Sequence, residues 1–345
     1  VKQTAVVICP GRGSYAAQTL GYLQQHHSGH DLVRLVDDYR RQRGEVTVTE
    51  LDRMPEYRSA WHAAGEHASA LIHACALADF SAIDRERFEV VAVTGNSMGW
   101  YLALAAAGAL DPHAAITLVN TMGSMMREEL IGGQLLYPVV DERWQPQPEL
   151  ELLLQTELER VNEISGCAAY LSIDLGGIRV IGGNHKALEE LKRRLPPSQE
   201  RYPMLLARHA AFHTPLLASV SSRARELLPA TLFQRPDLPL IDGRGYIWQP
   251  LATDITMLHD YTLGHQVVAP FDFSSALEVA IKEFAPDRLI LLGPGASLGA
   301  SIGQLLVRER WFGLGDKEQF KQRQAEDPFL LSMGIEAERR QVVVA

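Results

Sequence analysis

The run Phe88–Thr94, FEVVAVT, carries a single charge, Glu89, and turns through Gly95-Asn96-Ser97-Met98-Gly99 into the alanine-rich stretch WYLALAAAGAL. A strand this apolar has to be covered on both faces, and a helix entered directly off its end supplies part of the cover. That confines the chain to α/β architectures built on a parallel sheet. The same pattern opens the sequence, where the short apolar run Thr4–Cys9 stops at Pro10-Gly11-Arg12-Gly13-Ser14 and continues with helical spacing. It returns late, in Leu238–Ile241 and in Arg288–Leu292, the latter followed by GPGASLG and a further helix. Between them, Tyr57–Phe80 has the spacing of one long helix.

From Gln134 to Ala207 the pattern changes. Leu135–Val140 reads as a strand, Glu149–Glu163 as a helix, Ala168–Asp174 and Ile178–Ile181 as two strands about Gly176-Gly177, His185–Leu195 as a helix and Tyr202–Ala207 as a last strand. The order β-α-β-β-α-β is that of a ferredoxin-like unit. With 345 residues allowing two domains, the expected fold is α/β: a large α/β-hydrolase-like body with a parallel sheet, residues 1–133 and 208–313, into which a ferredoxin-like subdomain, 134–207, is inserted. Residues 314–345, charged and weakly patterned, are expected to form a C-terminal surface appendage.

Composition narrows the function. The formal charge of −9 disfavours a nucleic-acid surface. The longest apolar stretch, Trp100–Leu110, falls short of the roughly 20 residues a bilayer span needs, and the first residues lack the apolar core of a secretory signal. Cys9, Cys75 and Cys167 are far apart without C-x-x-C spacing, which argues against a disulfide framework or zinc. His26, His27 and His30 have a ligand-like spacing, but Ser28-Gly29 interrupts any helix there. A cytoplasmic chain with no metal, no nucleic-acid partner and no membrane association is expected.

Gly95-Asn96-Ser97-Met98-Gly99 fits the nucleophile elbow G-x-S-x-G, in which glycines permit a sharp strand-to-helix turn that exposes a serine hydroxyl. The pattern recurs at Gly295-Ala296-Ser297-Leu298-Gly299, but there a longer loop separates the serine from its strand, so Ser97 is the candidate nucleophile. At a helix N-terminus the Met98 N–H is available to an oxyanion. A serine needs a base within hydrogen-bond reach. Of the twelve histidines, His213 stands out, because Ala210-Ala211-Phe212-His213-Thr214-Pro215 follows the last strand of the insertion and places an imidazole at the junction of the two parts.

Four landmarks, taken in order over about residues 4 to 306, resemble the malonyl-CoA:acyl carrier protein transacylases and the acyltransferase domains of polyketide and fatty acid synthases. PGRGS is similar to that family's P-G-Q-G-S loop, GNSMG to its G-H-S-x-G elbow, AFHTPLL to its F-H-S-x-L-M segment, and LLGPGASLGASI to its E-V-G-P-G-x-x-L-x-G stretch. The inserted unit, with IRVIGG, matches the family's small subdomain. The resemblance implies an acyl-CoA:acyl carrier protein S-acyltransferase with Ser97 as acyl-accepting nucleophile and His213 as general base. It implies ping-pong transfer with no bound cofactor: acyl-CoA is the donor and the phosphopantetheine thiol of an acidic acyl carrier protein the acceptor. It places the carbonyl that orients the histidine near Gln266. About 130 residues follow His213, unlike the order in a true α/β-hydrolase. A monomer is expected. An acyl hydrolase on the same dyad and a non-catalytic carrier-protein docking module are the alternatives.

Departures from the family pattern define the pocket. Arg12 stands where the family has its oxyanion-loop glutamine, Asn96 where it has histidine, and Trp100 where it has a small or acidic residue. Phe212 keeps the bulky residue associated with malonyl selection. The arginine that pairs with the malonyl carboxylate is replaced by Met122, followed by Gly123. That favours uncharged acyl groups unless Arg127 or Arg12 takes over. Lys192, Arg193 and Arg194 offer one basic patch to a carrier protein.

Overall fold

The structure is a computed structural model that describes residues 1–128 and 131–344, the side chains of 126–128 excepted. Its strands, in chain order, are β1 (Gln3–Cys9), β2 (Phe88–Gly95), β3 (Gly133–Pro138), β4 (Ala169–Leu175), β5 (Ile178–Gly183), β6 (Met204–Leu205), β7 (Leu240–Ile241), β8 (Ile247–Trp248), β9 (Phe271–Asp272), β10 (Arg288–Leu291) and β11 (Leu330–Ser332). Six of them form the main sheet in the order β11-β10-β1-β2-β7-β8, parallel except for the β7–β8 edge pair. The central strand β1 is fully buried from Ala5 to Cys9, as its unbroken apolar run requires.

The second sheet runs β6-β3-β5-β4-β9. Its first four strands come from the βαββαβ stretch and pair antiparallel, with β3 beside both β5 and β6. The two faces are sorted by the period of two. Leu135, Tyr137 and Ile181 pack with Leu154, Leu188 and Leu191 of the helices Pro148–Asn162 and His185–Arg194. Leu136, Ile173, Leu175, Ile178 and Val180 point the other way and line a cavity against the main body.

Three expectations differ from the structure. The inserted sheet does not end at its own boundary: Phe271-Asp272 of the body adds as β9, parallel to β4, covering an edge whose unpaired N–H and C=O groups would otherwise stay open. The helix expected over 57–80 is broken into Ser59–His62 and Gly65–Ala82, with Ala64 extended between them. The stretch 314–345 is no surface appendage, since Leu330–Ser332 is the edge strand of the main sheet and Phe329, Met333 and Val342 are buried. Arg339, in the final helix, is buried too, its Nη1 2.5 Å from the fully buried carboxylate of Asp79. The charge density that suggested an appendage belongs to the outer faces of these elements.

Among the described residues no helix is long and apolar enough to cross a membrane.

Candidate active site

β2 ends in a turn that only small residues allow. A Cβ on Gly95 would stand 2.2 Å from the Gly99 carbonyl oxygen, and one on Gly99 would stand 2.3 Å from that of Cys9. Backbone segments therefore touch where side chains would normally separate them, and the chain reverses tightly enough to hold Ser97 at φ 58°. The helix Gly99–Ala106 starts immediately after. The Met98 N–H makes no intramolecular hydrogen bond among the described residues. It is an unspent donor on the first turn beside the serine hydroxyl.

The candidate base arrives from the other part of the chain. His213, also at positive φ, 56°, has its Nε2 2.7 Å from Ser97 Oγ. Its Nδ1–H donates to the Gln266 carbonyl at 2.6 Å, which leaves Nε2 as the acceptor for the serine proton. The Gln266 side chain closes the loop: Nε2 donates to the Ser97 carbonyl at 3.1 Å, while Oε1 accepts from Tyr101 Oη at 2.9 Å. Burial pushes the His213 imidazole down to about 4, against a smaller upward pull from the Gln266 carbonyl. It is thus neutral and basic near pH 7.

These groups open on a cavity of about 390 Å³ between the two sheets, lined by Arg12, Asn96, Ser97, Met98, Met122, Phe212, His213 and Gln266. Trp100 is not among the lining residues, contrary to its expected place in the pocket. It is fully buried, donates its indole N–H to Thr262 Oγ1 at 3.0 Å and packs edge-on against Tyr261. Its position one residue into the helix turns it away from the cavity and into the core. The side chain of Arg127 lies outside the described residues. Met122 and Gly123 sit on the helix Pro112–Glu128, where a Cβ on Gly123 would meet Gly65 O at 2.6 Å. Gly123 thus lets two helices approach while Met122 faces the cavity.

Tyr101, His209, Gln134 and Ser172 carried no signal of their own in the sequence. His209 Nδ1–H donates to Gln134 Oε1 at 2.7 Å, Gln134 Nε2 to Ser172 Oγ at 2.8 Å, and Ser172 Oγ to the Phe212 carbonyl at 2.7 Å. This chain anchors the segment that carries His213. Ser297, the serine of the second G-x-S-x-G, is exposed at the rim of the same cavity and makes no hydrogen bond to a histidine among the described residues. In the basic patch, Arg193 pairs with Glu190 at 2.5 Å and Arg194 with Glu157 at 3.4 Å, so much of its charge is already neutralised.

Solved structures share this arrangement of sheets along nearly the whole chain. A malonyl-CoA:acyl carrier protein transacylase from Xanthomonas oryzae superposes with a TM-score of 0.74 at 18% identity, covering 99% of this chain and 97% of that one. A malonyl transacylase solved with its type II polyketide synthase carrier protein gives 0.75, at 18% identity and 99% of both chains. In sequence, the Bacillus subtilis malonyl CoA-acyl carrier protein transacylase is 24% identical over 238 residues, 68% of this chain and 72% of that protein. In sequence and in fold the chain is similar to the malonyl-CoA:acyl carrier protein transacylases. The non-reducing polyketide synthase nscA of Trichophyton verrucosum is 26% identical over 194 residues, 55% of this chain but only 10% of that synthase. No family model matches the sequence.

Proposed function

We propose that this chain is an acyl-CoA:acyl carrier protein S-acyltransferase that works through an acyl-Ser97 intermediate. The observation that carries the reading is the 2.7 Å contact between Ser97 Oγ and an imidazole already oriented by a backbone carbonyl. Ser97 Oγ attacks the thioester carbonyl carbon while its proton passes to His213 Nε2. The oxyanion is received by the Met98 N–H and by the loop that carries Arg12. Collapse expels the CoA thiolate, which takes the proton back from Nε2. The thiol of a carrier protein's phosphopantetheine then gives its proton to His213 and attacks the acyl-serine, and Ser97 leaves protonated. A carbonyl in place of an aspartate orients the ring but supplies no counter-charge to the imidazolium. The base is correspondingly weak and is matched to thioesters, whose leaving group is a good one.

Asn96 and Phe212 shape the acyl end of the cavity in this reading, and Gln266 orients the base. The inserted sheet supplies the opposite wall, so the acyl pocket lies between the two parts of the fold. Incubated with a panel of acyl-CoAs, the wild type should gain one acyl mass on Ser97 and Ser97→Ala none, read by intact-protein mass spectrometry. Absence of an adduct with every donor overturns the proposal. Adding a carrier protein then decides between transfer and hydrolysis by whether the acyl group reaches the pantetheine thiol or water.

A further inference from the structure

Arg12 sets a positive charge into the cavity with no ion pair at bonding distance among the described residues, Glu66 acting on it only from further off. The buried arginines and the half-buried Arg179 are matched with acids: Arg40 with Glu45 at 3.1 Å, Arg179 with Glu151 at 2.9 Å and Asp174 at 3.0 Å, and Arg339 with Asp79 at 2.5 Å. Arg12 is treated differently. Its Nη2 donates to two neutral carbonyls, Ala63 O at 2.8 Å and Arg208 O at 3.1 Å, and its guanidinium lies 5.4 Å from the Phe212 ring centre. Nε and Nη1 make no hydrogen bond, and no carboxylate stands at ion-pair distance, among the described residues. The Ala63 carbonyl is free to accept because the helix breaks there, between Ser59–His62 and Gly65–Ala82.

Three separate segments therefore hold the guanidinium in the cavity while its Nε–H and Nη1–H groups stay unspent. A partly desolvated charge without a partner is unfavourable, and an anion that enters the cavity removes the penalty. Desolvation lowers the Arg12 pKa to about 10, which still leaves it charged near neutral pH, and the same charge helps burial hold neighbouring His209 down to about 3. With both Nη2 hydrogens engaged, Nη1 remains to give a carboxylate a charge-assisted hydrogen bond. Met122 lines the same cavity and brings no charge of its own.

Resting on the acyl-transfer reading above, we infer that Arg12 is the receptor for a carboxylate borne by the acyl group, and that the chain selects short acyl donors ending in a carboxylate over uncharged donors of the same size. The competing role for the guanidinium, donation to the oxyanion, would favour every acyl donor alike.

The test compares malonyl-CoA with butyryl-CoA, which are close in size and differ in charge. With Ser97→Ala, calorimetry should show malonyl-CoA binding about 10- to 100-fold more tightly than butyryl-CoA, the range expected of a hydrogen bond between charged groups. Arg12→Gln placed on the same background should collapse that ratio toward one, and Arg12→Lys should keep part of it. In otherwise wild-type enzyme, Arg12→Gln should lower the malonyl-to-butyryl ratio of Ser97 acylation rates by a similar factor. Equal binding of the two thioesters to Ser97→Ala, or an equal loss with both donors in Arg12→Gln, overturns the inference while leaving acyl transfer intact. If neither donor labels Ser97 although both bind, acyl transfer itself is what fails.

Discussion

Gln266 does three things with one residue. Its carbonyl fixes the His213 ring, its side-chain amide holds the Ser97 backbone, and Tyr101 fixes that amide in turn. Ser97 and His213 are thereby tied to a common support, which keeps their separation at hydrogen-bond length despite the positive φ at both. Because burial is the main cause of the low His213 pKa, the basic form persists well into acid. The rate of Ser97 acylation should therefore stay level from pH 8 down to about 5 and fall with an acidic limb near 4, measured by rapid quench across pH. A limb near the ordinary histidine value of 6.5 would show that the ring is solvated in solution. The sign follows from the chemistry: lowering pH through the folded-state pKa protonates Nε2 and removes the acceptor for the serine proton. Ser97 and His213 were both candidates in the sequence, one from a turn that needs glycine on each side, the other from its place after the inserted unit and from the resemblance of AFHTPLL to the family segment, and the structure sets them 2.7 Å apart. The Tyr101–Gln266 contact was not, because nothing within a few residues of either demands it.

At the scale of elements, the elbow works because the helix that follows it is sunk in the core. Trp100 anchors that helix, fully buried with its indole N–H satisfied by Thr262. Trp100→Ala should lower unfolding free energy by about 3–5 kcal/mol in denaturant titration, the cost of a large buried cavity. A change below about 1 kcal/mol would place Trp100 at a surface instead. The sequence placed Trp100 at the pocket by its neighbourhood to Ser97, yet successive helical residues point about 100° apart, so proximity in sequence does not decide which side chain meets the cavity. The inserted unit was more legible. Its alternating strands and two amphipathic helices identify βαββαβ, and the observed strand order β6-β3-β5-β4 follows that pattern. The added β9 was not legible, since two residues of ordinary composition carry no period to read.

At the scale of the molecule, the two ends of the chain are stitched together around Asp79. Its carboxylate accepts from Tyr22 Oη at 2.7 Å and from the Gly293 N–H at 2.8 Å, and it lies 2.7 Å from His27 Nε2 and 2.5 Å from Arg339 Nη1. The charges of the last thirty residues thus include one that is structural rather than solvent-facing. Arg339→Met should destabilise the protein by about 3 kcal/mol, because it removes one partner of a buried ion pair and leaves the other desolvated. Thermal and denaturant melts check this, and an unchanged midpoint would mean that the final helix is not docked in solution. The formal charge of −9 bears on partners at this same scale. If an acidic carrier protein is the acceptor, as proposed, the helix of Lys192, Arg193 and Arg194 offers it Lys192 freely, since Glu190 and Glu157 already pair with the two arginines.

By itself the sequence determined what is local: a buried parallel strand, the glycine turn that exposes Ser97, the inserted βαββαβ unit and the candidate base. Each is encoded within a window of a few residues by steric limits on the backbone or by the period of apolar side chains. The tertiary structure decided what depends on distance. It brought Ser97 to His213 across 116 positions and to the Gln266 side chain across 169, and it set Arg339 on Asp79 across 260. It also left Arg12 without an ion pair in the cavity while pairing the buried Arg40 and Arg339, and turned Trp100 into the core. Such contacts are chosen by how whole elements pack, where many side chains share one volume, and no short stretch of sequence specifies that outcome.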